Sequence, residues 1–452
     1  MMINAQYILI VGALLVPLAD LLRRELNAKS TKIINYLTLS ILLLSFIFEV
    51  LFGNIQSTLF NSIDYSYFIN SFILLLSTLI FSFMLLHFDR LDTYIDVFFI
   101  ITVLGATLMV ISSNFLSLII SLEMMSIPSY ALVLIVKDKK HLEGTFKYLF
   151  ISMLSIALLV FGSSLIFLSS GSLSFSSLST VNYLLFLPGI AIVLAGIAYE
   201  ATLVPFHSWA PDTYDAADST ITAFLSSVPK AAGLIVIVHI FTYAFPLAEK
   251  FMLVTLMTLA IATIIVPSII AISQSKLKRM LIYSSIAQSG FAFVGVSLLS
   301  TISVYSAVFY VFAFATADAL VFLSLSMLES KGVYLISDLG KAKNLGIVPV
   351  LGLSLGLLSL AGFPPTIGFF GKLLIFMSLI FQGYVWVVIV LIAILLLSTF
   401  YYYNVFRNMY RRKYSLIKSV PIKSDIRWAL KEAIIIILMA IVFAGVALIG
   451  AA

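Results

Sequence analysis

Cysteine is absent from the 452 residues, there are only four histidines, and only 10% of the chain is charged. Without thiolates, iron–sulfur clusters, disulfides and cysteine-held zinc are excluded, and four scattered histidines make a poor ligand set for haem or zinc. No metal, bound cofactor or electron transfer within this chain is expected. What fills the chain instead is apolar. Hydrophobic residues make up 62% of it, in runs that recur from end to end, more than a soluble core of this length would need. The composition therefore reads as an all-α polytopic membrane protein. The first run has no basic region before it and no small-residue cleavage pattern behind it, so it reads as a retained span rather than a signal peptide.

Hydropathy places fourteen transmembrane helices, at about 5–22, 33–52, 68–88, 95–112, 114–136, 147–170, 185–205, 219–245, 252–273, 281–300, 303–329, 347–381, 384–410 and 428–450. Basic loops resist translocation, which orients the set. Of the 26 lysines and arginines, only Lys250 falls in loops on one side, Lys230 and Lys372 fall inside spans, and all others lie in loops of the opposite, cytoplasmic side or at its helix ends. Both termini are then expected outside, and the net charge of +6 reports topology rather than a nucleic-acid partner. Helices four to eight start on the cytoplasmic side and nine to thirteen on the other, and the fourth of each group is broken by proline. That is the pattern of two inverted five-helix repeats. The implied domains are three N-terminal helices (1–94), a first repeat (95–250), a second, inverted repeat (251–413) and a last helix (414–452).

The most informative stretch runs from Gly196 to Lys230, GIAYEATLVPFHSWAPDTYDAADSTITAFLSSVPK. It sets Glu200 in an apolar helix, breaks that helix at Pro205, passes through Asp212, Asp215 and Asp218, and enters a new helix carrying Pro229 and Lys230. Its counterpart is SLAGFPPTIGFFGK, with Pro364 and Pro365 followed by Lys372. Each proline lacks an N–H and frees the carbonyl four residues earlier, Ala201 in the first break and Leu360 and Ala361 in the second. Broken helices at membrane depth require protein or water to satisfy those groups, so they mark wet cavities and ion paths.

Ionisable residues at that depth cost about 2.5–3.5 kcal/mol each on insertion scales, so their retention points to use. Glu123 and Glu200 each stand five residues before a proline, Pro128 and Pro205. Lys230 and Lys372 are the matching cations, and the four together read as a proton relay, with static ion pairs as the alternative. Asp318, near the middle of the eleventh helix with no basic residue within a turn, is either a further relay member or a hydrogen-bonded packing residue. His207, just past Pro205, could pass protons or simply bind a freed helix-end carbonyl. His239 reads as interfacial. The three aspartates could draw protons to an entrance, although solvated loop charge explains them equally. GFFGKL matches a phosphate loop only in part, since Thr366 stands where Gly is required and Leu373 where Ser or Thr is. The run from Lys137 to Lys140 is a cytoplasmic anchor.

Six phrases in order, SLEMMSIPSYALV, HLEGTFKYLF, LVPFHSWAPDTYDAA, TAFLSSVPKAAG, QSKLKRMLIYSSIAQSGF and SLAGFPPTIGFFGK, resemble the proton-translocating antiporter-like subunits of respiratory complex I over residues 95–410. The resemblance is strongest to the N-type members. The chain stops after the fourteenth helix, whereas the L-type continues into a lateral helix, and Lys372 stands where the M-type carries glutamate. By resemblance, Glu123 is the fifth-helix glutamate, Lys230 the central lysine of the eighth helix, and Lys372 the exit-side lysine. Glu200 departs from the pattern, replacing the lysine usual in the seventh helix. The resemblance implies a multi-pass plasma-membrane subunit that conducts protons while partner subunits carry out NADH (or other donor):quinone redox chemistry. A multisubunit cation/proton antiporter or a membrane-bound hydrogenase would use a related subunit; a stand-alone permease or a purely structural subunit would be a different kind of protein. Expected partners are the other membrane-arm subunits, protons and the lipid bilayer, with no nucleic acid.

Overall fold

In hydrocarbon, backbone N–H and C=O groups have no water to bind, so each apolar run must satisfy them internally as helix. The computed structural model describes residues 5–25, 31–59, 66–89, 91–135, 138–175, 182–244, 249–298, 300–410 and 426–449. Of the topology-setting basic residues, Lys29, Arg90, Lys137, Arg411, Arg412, Lys413, Lys418 and Lys423 lie outside the described residues.

Among the described residues there are sixteen α-helices: α1 (Ala5–Glu25), α2 (Lys32–Leu59), α3 (Ser66–His87), α4 (Thr93–Val110), α5 (Phe115–Val133), α6 (Lys139–Ser170), α7 (Tyr183–Glu200), α8 (Trp209–Ala216), α9 (Ser219–Ala244), α10 (Glu249–Ile272), α11 (Leu277–Ser297), α12 (Thr301–Glu329), α13 (Ile347–Ala361), α14 (Ile367–Phe381), α15 (Val385–Tyr410) and α16 (Ile426–Ile449). A 3₁₀ segment, Ile336–Leu345, leads into α13. By length and composition, twelve described helices can cross a membrane, and α13 and α14 are shorter apolar helices. The protein is an all-helical membrane protein.

Local chemistry accounts for most departures from the expected boundaries. α7 stops at Glu200 rather than at 205, and the break ends at Pro205, which disfavours helical geometry in the residue before it. The polar stretch after the break, expected as loop, forms α8. α6 begins at Lys139 rather than 147, where the Asp138 side chain accepts from His141 N at 2.8 Å and caps the first turn. The exposed Asp138 carboxyl is held below its ordinary value by that backbone bond and by the His141 ring. α5 runs straight through Pro128, so no break stands beside Glu123. Proline removes only the donor to Met124 there, which one helix tolerates when its neighbours hold it.

The chain divides into two units, Met1–Ile197 and Ala198–Ala452. In the first, α4 packs on α1, α2, α3 and α5, and α6 packs on α5. In the second, α12 is the hub, in contact with α9, α11, α13, α14 and α16. Every residue in the Ser219–Ile240 span of α9 is buried, and α11 and α12 are nearly as enclosed. Two of these helices, α9 and α12, carry Lys230 and Asp318.

Candidate relay site on the broken helices

At the first break the backbone is held by bonds that a straight helix would not make. Leu203 N donates to Ala198 O at 2.8 Å, Val204 N to Thr263 Oγ1 at 3.0 Å, and Trp209 Nε1 to Tyr199 O at 3.3 Å. Thr202 sits at φ 56°, a left-handed conformation that costs a β-branched residue about 1–3 kcal/mol and persists only where the surroundings impose it. Glu200, the last residue of α7, is buried. A Cβ on Gly233 would stand 3.1 Å from Glu200 Cγ, so the acid lies against α9 one turn beyond Lys230.

At the centre, Lys230 of α9 and Asp318 of α12 are buried and joined through Ser285 of α11. Lys230 Nζ donates to Ser285 O at 2.8 Å and to Ser285 Oγ at 2.9 Å, and the Ser285 hydroxyl donates to Asp318 Oδ2. Nζ also lies over the Phe314 ring, 5.4 Å from its centre, where the ring face favours a cation. Asp318 thus finds its cation across two helices, and only its Oδ1 is left without a hydrogen bond. A buried charge persists only when paired and hydrogen-bonded in this way.

At the second break, α13 ends at Ala361 with Gly362 in the left-handed conformation (φ 83°), the usual glycine helix stop. α14 then returns so closely that a Cβ on Gly368 would lie 1.9 Å from Ser359 O. Lys372 of α14 is buried, donates its ammonium to Leu360 O, and lies over the Phe291 ring at 4.7 Å.

α11 spans the interval between the two lysines. One turn beyond Ser285, Gln288 accepts from Tyr310 OH and donates to Tyr402 OH at 3.3 Å, and Tyr402 shares a further hydrogen bond with Ser284. One turn further is Phe291, under Lys372. Sequence reasoning missed Ser285, Gln288, Tyr310 and Tyr402. The available signal was the polar spacing Ser284, Ser285, Gln288, Ser289 within an otherwise apolar helix.

The other candidates lie differently. Glu123 sits on α5 in the first unit and is partly exposed. His207 is half-buried, which pushes its imidazole below the ordinary value, partly offset by a hydrogen bond to the Pro205 carbonyl. His239 is enclosed within the second unit. The three aspartates are not free loop charge. Asp212 pairs with Arg279 at 3.1 Å, Asp215 with Lys276 at 3.5 Å, and Asp218 caps α9 by accepting from Thr220 N at 2.8 Å. Among the described residues, no group of three or more His, Asp or Glu could hold a metal ion.

Comparison with known proteins decides the family. Residues 112–398 match the family described as NADH:quinone oxidoreductase/Mrp antiporter, transmembrane. The chain belongs to this family. It is an antiporter-like membrane subunit of the NADH:quinone oxidoreductase kind, and its sequence is similar to the N-type subunits. NADH-quinone oxidoreductase subunit N of Parvibaculum lavamentivorans is 33% identical over 323 residues, covering 70% of this chain and 67% of that one. The fold is shared more widely. A chain of respiratory complex I from Thermus thermophilus superimposes with a TM-score of 0.83 at 22% identity, covering 99% of this chain and 97% of that one. A chain of the archaeal membrane-bound sulfane sulfur reductase reaches 0.85 at 22% identity, covering 99% and 96%.

Proposed function

We propose that this chain conducts protons through the membrane arm of a complex I-like oxidoreductase, by a route that uses Glu123, Glu200, Lys230, Asp318 and Lys372. The observation that carries the reading is the shared hydroxyl of Ser285, which accepts from Lys230 and donates to Asp318. A proton leaving Lys230 Nζ onto Ser285 Oγ, as the hydroxyl proton passes to Asp318 Oδ2, turns ammonium and carboxylate into amine and acid. Ser285 thereby offers an exchangeable bridge between the two groups. From there Gln288, Tyr310 and Tyr402 continue along α11 towards Lys372.

The broken helices α7/α8 and α13/α14 fit a layout of fourteen crossings built from two inverted five-helix repeats, 95–250 and 251–413, flanked by 1–94 and 414–452. Both termini then face outward from the plasma membrane. Moving one charge against 100 mV costs about 2.3 kcal/mol, and nothing in this chain releases that energy, so redox partner subunits must supply it. Glu200, at the end of α7 and against Gly233 of α9, gives the first half of the route an acid where a second base is usual. Its centre then cycles between neutral and negative.

Pumping by the reconstituted complex tests the reading. Lys372→Ala should strongly reduce proton translocation with assembly intact, and normal pumping by an assembled variant would remove Lys372 from the route. The near-equal TM-scores to complex I and to the sulfane sulfur reductase support a second reading, in which the same subunit serves another multisubunit machine such as a hydrogenase or a cation/proton antiporter. Identifying the proteins that co-purify with the chain separates the two.

A further inference from the structure

The N-terminal helices contain buried carboxylates that the proposed route does not use. α2 buries one narrow stripe in which Ile34, Ile41 and Leu42 are interleaved with polar residues, Thr31 just before the helix, then Asn35, Thr38, Ser45 and Glu49. The spacing keeps them on one helix face, and from Thr31 to Glu49 the stripe rises about 27 Å, close to the roughly 30 Å of a bilayer's hydrocarbon core. The opposite face is exposed and mostly apolar, with Ile33, Tyr36, Leu44, Ile47 and Leu51, and its Ser40 donates to Tyr36 O. A membrane helix that turns polar residues inward from Thr31 to Glu49 encloses a polar seam.

The neighbouring helices add charge at each end of that seam. At one end, Asn35 Nδ2 donates to Asp96 Oδ1 of α4 at 3.5 Å, and Asp20 of α1 bears on Asp96 electrostatically while bound to Arg23 at 2.7 Å. At the other end, Glu49 is hydrogen-bonded by Asn70 of α3. Asp20, Glu49, Asn70 and Asp96 are all buried. Three atoms along the seam, Asp96 Oδ2, Thr38 Oγ1 and Asn70 Oδ1, are enclosed with no hydrogen-bond partner. Buried polar atoms are nearly always satisfied, and a proton or the water that carries one would satisfy all three. Ile41 and Leu42 are the buried apolar residues between Thr38 and Ser45. Counting the same rise back along antiparallel α3 from Asn70 sets the buried Ser77 hydroxyl at that level.

We propose that the first unit carries a second proton path, in which Asp96 takes up the proton and Glu49 releases it at the far end of the seam. No atom changes oxidation state. The proton moves between carboxyls through hydroxyls and water, and the same redox partners drive it. The path uses none of Glu123, Glu200, His207, Lys230, Asp318 or Lys372.

The intact complex reconstituted in vesicles tests this, by the ratio of protons moved to electrons passed. Asp96→Asn and Glu49→Gln should each lower the ratio, also in a Lys372→Ala background, and Asp96→Glu should restore it. Thr38→Val, which keeps the packing volume and removes one unpartnered hydroxyl, should lower it too. Infrared difference spectra taken during turnover should show a protonated-carboxyl band that Asp96→Asn removes. An unchanged ratio in assembled Asp96→Asn and Glu49→Gln complexes would overturn the proposal. So would a loss that tracks sodium rather than pH. A lowered ratio in Asp96→Asn beside normal pumping in Lys372→Ala would sink the route of the second unit and leave this one standing.

Discussion

Lys372 donates its ammonium to the carbonyl of Leu360, the residue four before Pro364. Proline deprives that carbonyl of its helical partner, and the next helix returns a buried cation to fill the place. The break and the charge are therefore one feature. Gly362 turns the chain, Gly368 lets α14 approach, and the Phe291 ring covers the ammonium from the other side. Among the described residues, the contacts of this ammonium are a carbonyl and a ring face.

Close approach makes Gly368 a strict requirement. Gly368→Ala would drive a methyl group into the Ser359 backbone, which cannot swing away as a flexible side chain can. We expect a loss of about 1–3 kcal/mol, seen as a lower unfolding midpoint in detergent and less assembled complex. Wild-type stability would mean that α13 and α14 are further apart.

Lys230 and Asp318 should be coupled in stability. Removing either charge leaves the other buried and costs about 3–5 kcal/mol, whereas replacing both with apolar residues is often neutral. Unfolding of Lys230→Met, Asp318→Leu and the double variant should show the double variant well short of the sum of the singles. Strict additivity would separate the two residues.

Glu200 tests how far this chain departs from its relatives. Glu200→Gln should lower pumping, since it removes the titrating group, and Glu200→Lys should not restore it if the Gly233 side of α9 is tuned to an acid. Full activity with lysine would make the acid a mere variant of the usual switch.

The paired aspartates of α8 should be dispensable for transport. Asp212 and Arg279 are each about a third exposed, at 35% and 34%, and such pairs contribute less than about 1 kcal/mol and weaken in salt. Asp212→Asn should pump normally at physiological ionic strength. Slowed uptake would restore an entrance role.

Much of this was legible residue by residue. Proline in apolar runs marked both breaks, and the rarity of charge at membrane depth singled out Lys230, Asp318 and Lys372. The partnership of Lys230 with Asp318 was not legible, because it forms across three helices through a serine that any apolar helix could contain. The ion pairs of Asp212 and Asp215 were not legible for the same reason, since Arg279 and Lys276 come from the distant start of α11. The polar stripe of α2 was legible in principle from its period, but five uncharged or singly spaced polar residues carry less weight by eye than a lysine beside a proline.

The proton-to-electron ratio of the reconstituted complex carrying Ser285→Ala bears most directly on the relay. Hydrogen bonds to charged groups contribute about 1.5–3 kcal/mol, so transfer between Lys230 and Asp318 should slow about tenfold to a hundredfold. The ratio should fall with assembly intact, and Ser285→Thr, which keeps the hydroxyl, should hold it up. An assembled Ser285→Ala complex that pumps at the normal ratio would contradict a relay through this hydroxyl.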